Sequence, residues 1–166
     1  MDPVFRWIES SAFSTWTRES TSIFAFPGFL VAHAVGMALA VGVNAGMAFG
    51  VLGAAPGLPL REMRAYAAVM WFGFSLNLAS GLILFVAYPT KALTNPVFYL
   101  KLFLIAVAMR LFVVIDRRLR SGLVSAGGEQ AQAVRRLAVL SLLCWGGAIA
   151  AGRLLAYTFR RMSVNW

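Results

Sequence analysis

Four long, nearly uninterrupted apolar segments constrain the fold of this chain more than any other feature. The hydrocarbon core of a bilayer is about 30 Å thick, so a helix needs about 20 apolar residues to cross it. The segments of that length are residues 23–52, 65–88, 97–115 and 137–159. With 60% hydrophobic and 13% charged residues among 166, the composition does not fit a soluble domain. The sequence predicts an integral membrane protein.

The connections between these segments are short, and Gly, Pro and Asn mark their ends. "GAAPGLPL" breaks the chain after the first segment, and "YPTKALTNP" ends with Thr94 or Asn95 as N-cap and Pro96 as first helical residue. Short loops force neighbouring helices to run antiparallel. We therefore expect an all-α, up-down-up-down four-helix bundle that forms one domain over residues 1–166. We find no catalytic motif and no room for a soluble catalytic module.

Residues 1–22 precede the first apolar segment and carry five charges, so they do not resemble a cleavable signal peptide. Asp2 is a plausible N-cap and Pro3 a plausible first helical position. A short helix here would lie in the membrane interface. Its apolar side would hold Val4, Phe5, Ile8 and Trp16.

The net charge of +9 comes from basic residues that crowd the ends of the spans, where lipid headgroups explain them better than nucleic acid does. Five of them share a side with both termini: Arg6, Arg18, Lys91, Arg160 and Arg161. Seven lie on the other side: Arg61, Arg64, Arg117, Arg118, Arg120, Arg135 and Arg136. The positive-inside rule then places both termini outside the cytoplasm.

Small residues recur every fourth position along the first span, which allows another backbone to approach closely. This ladder consists of Ala34, Ala38, Gly42, Gly46 and Gly50. Gly73 and Gly81 flank Asn77 in the same way in the second span. We expect the first two spans to lie in tight contact, and a second subunit is the alternative partner for either set.

His33 is the only histidine and lies about 15 Å into the first span, at a depth that Asn77 reaches in the second. In the simplest interpretation a neutral imidazole bonds to Asn77, Ser80 or a backbone carbonyl and holds two helices together by about 1 kcal/mol. Two cations favour a more specific interpretation, in which the site binds a ligand. Lys101 and Arg153 lie inside the third and fourth spans, and no span contains Asp or Glu to pair with them.

A neutral imidazole with two cations nearer the membrane surface is the arrangement that haem b needs. Iron would bind His33, and the propionates would bind Lys101 and Arg153. Met37 on the same helix cannot reach the second axial position. That ligand would come from Met70, a water, or His33 of a symmetry-related subunit.

A quinone or proton site at His33 is a second interpretation, although no carboxylate relay accompanies it. A zinc or copper site is less well supported, because one His, one Cys and scattered Met form no recognisable ligand spacing. Cys144 is best explained as a small buried apolar residue.

Four stretches resemble a family of uncharacterised bacterial four-helix membrane proteins: "RESTSIFAFPGFLVAHAVGMALAVG", "MWFGFSLNLASGLILF", "TNPVFYLKLFLIA" and "LSLLCWGGAIAAGRLLAY". This resemblance implies a four-span protein of the inner membrane and no particular activity. The chain is also distantly similar to four-helix b-type cytochrome and copper-resistance membrane subunits, which carry haem or quinone between helices. Those cytochromes use histidine pairs, whereas this chain has His33 alone.

We therefore predict an electron-transfer subunit that binds haem b or quinone at one internal site. The site residues are His33, Asn77, Lys101 and Arg153, with His33 as the metal ligand. The competing hypothesis is a cofactor-free accessory subunit that stabilises a larger membrane complex. Expected partners are membrane lipids and either other membrane subunits or further copies of this chain.

Overall fold

The computed structural model describes residues 3–55, 66–121 and 128–162, and within them it contains seven α-helices and no β-strand. Asp2, Arg61 and Arg64, which entered the sequence predictions, lie outside these residues. The short helices are α1 (Pro3–Glu9), α2 (Ala12–Glu19) and α5 (Pro89–Leu93). The long helices are α3 (Phe26–Leu52), α4 (Ala67–Ala87), α6 (Pro96–Arg120) and α7 (Gly128–Met162).

The four long helices are each long and apolar enough to cross a bilayer. The spans contain 27, 21, 25 and 28 residues, with the fourth covering Gly128–Leu155. At 1.5 Å per residue each is at least about 30 Å long, which matches the hydrocarbon thickness. The prediction of an all-α, multi-pass membrane protein is confirmed.

The predicted limits of the spans differ from the observed ones mainly at their polar ends. Helix α6 continues to Arg120 instead of ending near residue 115, and α7 begins at Gly128 instead of residue 137. Apolar content locates only the membrane-embedded part of a helix. The flanks are rich in Arg, Gln, Ala and Leu, which are strong helix formers, so the helices extend beyond the apolar segments. The predicted start of α6 is confirmed, because Asn95 Oδ1 accepts from the Val97 N–H at 3.0 Å.

The helices pack as an antiparallel four-helix bundle. Helix α3 packs most extensively on α4, α6 packs on α7, and α3 also contacts α7. Aromatic pairs join α4 to α6, with Trp71 against Phe112 and Phe85 stacked on Phe98. In these pairs the residue number rises along one helix as it falls along the other. Each long helix therefore contacts two others around the bundle.

Helices α3 and α4 approach each other closely at Gly36 and Gly73. A Cβ on Gly36 would lie 2.7 Å from the Gly73 carbonyl oxygen, and a Cβ on Gly73 would lie 2.8 Å from the Ala40 nitrogen. The predicted tight contact between α3 and α4 is present. On α3 this contact is formed at Gly36, which is not a residue of the predicted small-residue ladder. Ala34, Ala38 and Gly42 of that ladder are exposed on the single chain.

The N-terminal segment forms two helices where the sequence predicted one. Ser11 separates them, and its Oγ accepts from the Ser14 N–H and caps α2. The segment lies against the end of α4, where Ser14 Oγ donates to the Val86 carbonyl and Arg18 Nη1 donates to the Ala87 carbonyl at 2.9 Å. We call this the N-terminal end of the bundle.

Apolar side chains of the N-terminal segment point away from the bundle. Val4, Trp7, Phe13 and Trp16 are all exposed, and Trp7 is the most exposed of the four. An exposed apolar surface on short helices at the end of a membrane bundle agrees with the predicted position in the membrane interface.

Candidate functional site

The candidate site is centred on His33, which lies in the second turn of α3 and faces α4. Its Nδ1 lies 2.9 Å from the backbone oxygen of Asn77 and 3.3 Å from Ser80 Oγ. The Asn77 side chain returns the contact, since its Nδ2 donates to the His33 backbone oxygen at 2.8 Å. The structure thus brings together two of the four predicted site residues, His33 and Asn77.

The tautomer of His33 follows from these contacts. A backbone carbonyl can only accept a hydrogen bond, so Nδ1 carries the proton that lies between it and the Asn77 oxygen. Ser80 Oγ donates its own proton to the Leu76 carbonyl at 2.6 Å and is therefore free to accept. In a neutral imidazole this leaves Nε2 unprotonated, with a lone pair available. No hydrogen bond to Nε2 is found in the part of the chain that the structure describes.

Gly81 on α4 leaves space for the imidazole ring of His33. A Cβ on Gly81 would lie 3.0 Å from His33 Cε1 and 3.3 Å from Nδ1. Any side chain at this position would push on the ring and disturb the bond from Nδ1. The sequence analysis expected Gly73 and Gly81 to allow close approach of another helix backbone. At Gly81 the group that approaches is the His33 ring.

Lys101 approaches the same region from α6. Its charge lies close enough to the imidazole of His33 for the two to interact. Its aliphatic stem lies along α7, where a Cβ on Gly152 would lie 3.6 Å from Lys101 Cε and 3.7 Å from Nζ. The side chain is half-buried, and among the described residues it has no carboxylate partner. An ammonium in such a position favours an anionic or oxygen-rich ligand.

Arg153 is not brought into this site. It follows Gly152, which faces Lys101, and successive helical residues are rotated by about 100°. Arg153 is accordingly exposed on the outside of the bundle, near the end of the span in α7. A sequence cannot make this distinction when the register of the neighbouring helix is unknown.

Met70 is the side chain of this chain that was predicted as a possible second ligand for a metal bound to His33. Met70 is buried in α4, seven residues before Asn77, which corresponds to about 10 Å along the helix axis. Among the described residues no group of three or more His, Cys, Asp or Glu side chains could hold a metal ion.

A second polar contact lies deeper in the bundle and was not predicted. Ser141 Oγ of α7 donates to Asn44 Oδ1 of α3 at 2.8 Å, and the two residues are 0% and 1% exposed. The available signal was Ser141 itself, a lone hydroxyl in an apolar stretch of α7. This bond joins the α3–α4 pair to the α6–α7 pair.

Comparison of the chain with protein-family models, with curated proteins and with solved structures yields no match. The resemblance to the uncharacterised four-helix family therefore stays a prediction.

Proposed function

We propose that this multi-pass membrane protein is an electron-transfer subunit that binds haem b through Nε2 of His33. The observation that carries the proposal is the 2.9 Å contact from His33 Nδ1 to the Asn77 backbone oxygen. Histidines that bind metals commonly donate their other ring N–H to a carbonyl or carboxylate, which sets the tautomer and the ring orientation. Here that bond leaves Nε2 in the form that can coordinate iron.

The remaining side chains supply binding and orientation. Haem b, when bound, supplies a one-electron couple whose potential depends on its axial ligand and surroundings. Lys101 offers an ammonium for a propionate carboxylate, and its half-buried position strengthens such a pair. Asn77 holds the first turns of α3 against α4, and Gly81 leaves the imidazole free to keep its orientation. Met70, a water, or His33 of a symmetry-related subunit would supply the second ligand.

The same tautomer favours haem b over quinone. A quinone carbonyl needs a hydrogen-bond donor, and an unprotonated Nε2 can only accept. A quinol hydroxyl could donate to Nε2. If the site served a quinone-linked role, it would therefore bind the quinol and not the quinone.

The test is a reduced-minus-oxidised visible spectrum of the full-length protein in detergent, with a pyridine haemochrome assay. Wild type and H33A are each measured as purified and after titration with hemin, so that poor loading during expression does not decide the result. We expect one set of b-type bands in wild type and their loss in H33A at unchanged elution volume. Absence of binding by wild type, or equal binding by H33A, would overturn the proposal.

We propose as the second candidate a cofactor-free accessory subunit of a larger membrane complex. It is favoured by the exposed small-residue surface of α3, where a Cβ on Gly42 would meet nothing within 4 Å. Such surfaces allow close approach of another transmembrane helix. Colourless wild type that co-purifies with other membrane subunits, and loses them in G42L, would support this role. Retention of the same subunits by G42L would count against it.

We further propose that the protein lies in a bacterial inner membrane with both termini in the periplasm. The proposal rests on the excess of basic residues on the side opposite the termini. Fusions at the C-terminus distinguish the orientations: alkaline phosphatase should be active there and green fluorescent protein dark. The reverse pattern would place the termini in the cytoplasm.

A further inference from the structure

A groove opens at the end of the bundle opposite the N-terminal segment, between the last residue of α3 and the first turns of α7. It is lined by Leu52, Gln132, Arg135, Arg136 and Val139. Its volume is about 430 Å³, and it is open to the outside of the bundle. The groove is far from His33, which lies near the other end of α3.

The level of the groove in the membrane follows from the neighbouring helix ends. Helix α3 ends at Leu52, while α7 extends several turns further, to Gly128. Arg117 and Arg118 in the last turn of α6 mark the same end of the bundle. The groove therefore lies where the hydrocarbon gives way to lipid headgroups.

The lining of the groove changes from polar to charged to apolar with depth, and a phospholipid changes in the same order from its headgroup through its phosphate to its acyl chains. Gln132, Arg135 or Arg136, and Val139 follow one another on α7 at spacings of three or four residues, which places them on one face. Because α7 runs into the membrane from Gly128, the amide lies outermost, the guanidinium groups next and the apolar residue deepest. Val139 is 45% exposed and borders the acyl-chain region together with Leu52.

Within the part of the chain that the structure describes, the two arginines of the groove have no carboxylate partner. Arg135 and Arg136 are both exposed, and the Arg120–Asp116 salt bridge at this end of the bundle lies on α6 and involves neither of them. A guanidinium group binds phosphate oxygens through two parallel N–H donors. Two such groups in one groove complement a single phosphodiester.

We propose that this groove binds the headgroup of an anionic phospholipid. Its phosphate lies against Arg135 and Arg136, its glycerol hydroxyls lie near Gln132, and an acyl chain lies over Leu52 and Val139. The lipid thereby joins the end of α3 to α7, two helices that are not consecutive in the chain. This site is independent of the proposed haem site.

The test is native mass spectrometry of the detergent-purified full-length protein with phosphatidylglycerol or phosphatidylcholine. We expect wild type to retain one phosphatidylglycerol in preference to phosphatidylcholine. R135Q/R136Q should bind it about 30-fold more weakly, since each surface arginine contributes about a factor of five toward an anionic lipid. R117Q/R118Q removes the same charge from the same end of the bundle outside the groove and should retain it.

Three results with wild type and the double variants would overturn the proposal, and the single variants provide a fourth. One is equal retention of the two lipids by wild type, and another is an equal loss in both double variants, which would indicate general charge attraction. The third is competition by inorganic phosphate as effective as that by the lipid, which would mean that the acyl chain contributes nothing. If R135Q/R136Q does not fold, the single variants R135Q and R136Q are each expected to bind about fivefold more weakly. Wild-type binding by both would equally overturn the proposal.

Discussion

Asn77 and His33 exchange hydrogen bonds in both directions between α3 and α4. The Asn77 backbone oxygen lies 2.9 Å from His33 Nδ1, and the Asn77 side-chain nitrogen lies 2.8 Å from the His33 backbone oxygen. The two contacts use different parts of Asn77. The imidazole is held by backbone, so its tautomer does not depend on the Asn77 side chain.

The first prediction concerns the protonation of His33. In the protein without added hemin, the nitrogen-15 spectrum of labelled histidine should show a protonated Nδ1 and an unprotonated Nε2. Because this is the only histidine, the spectrum contains a single imidazole. N77A should keep the same tautomer while losing about 1 kcal/mol of stability, since only the side-chain bond is removed. A proton on Nε2 in wild type would contradict the structure.

The second prediction concerns the close approach of α3 and α4. G36A and G73A should each destabilise the bundle by about 1–3 kcal/mol, because the added Cβ would lie within 3 Å of backbone atoms on the facing helix. G42A is the matched control on α3, where a Cβ meets nothing within 4 Å. Thermal unfolding in detergent measures all three. A loss of stability in G42A as large as in G36A would show that the wrong face of α3 had been assigned to α4.

The third prediction separates the two intramembrane cations and is conditional on haem binding. K101M should weaken hemin binding, because the half-buried ammonium proposed to hold a propionate is removed. A loss of about tenfold is expected for a charge-assisted pair. R153L removes an equal charge from the exposed surface of α7 and should bind hemin as wild type does. Weaker binding in R153L than in K101M would restore Arg153 to the site.

The fourth prediction concerns the N-terminal segment. Arg18 donates to Ser14 Oγ, to the Ala87 carbonyl and to the Glu9 carbonyl, and so joins α1, α2 and the end of α4. Carbonyls at a helix C-terminus lack partners within the helix, so this guanidinium acts as a cap. R18Q should release the segment, which limited proteolysis near residues 10–11 would detect.

R18K provides the control for that experiment, because it keeps the charge and loses the planar set of donors. Release in both variants would assign the effect to hydrogen-bond geometry, and release in R18Q alone would assign it to charge. Resistance of R18Q equal to that of wild type would mean that Arg18 does not hold the segment.

Much of the fold could be predicted because a bilayer imposes simple requirements on a sequence. Four apolar segments of about 20 residues have to become helices, since unpaired backbone groups are costly in hydrocarbon. The N-cap at Asn95 and the pairing of His33 with Asn77 also followed from local chemistry and depth along the helix. These features depend only on residue type and on position along the helix axis, and both can be read from a sequence.

Rotation about the helix axis could be decided only in the tertiary structure. It made Gly36 the contact with α4 and left Gly42 exposed, and it placed Lys101 half-buried against Gly152 and left Arg153 exposed on the outside of the bundle. In a helix that is apolar all round, periodicity gives little indication of which face is buried. The sequence therefore determined which segments cross the membrane and which polar groups lie at depth, while interhelical packing determined which of those groups meet.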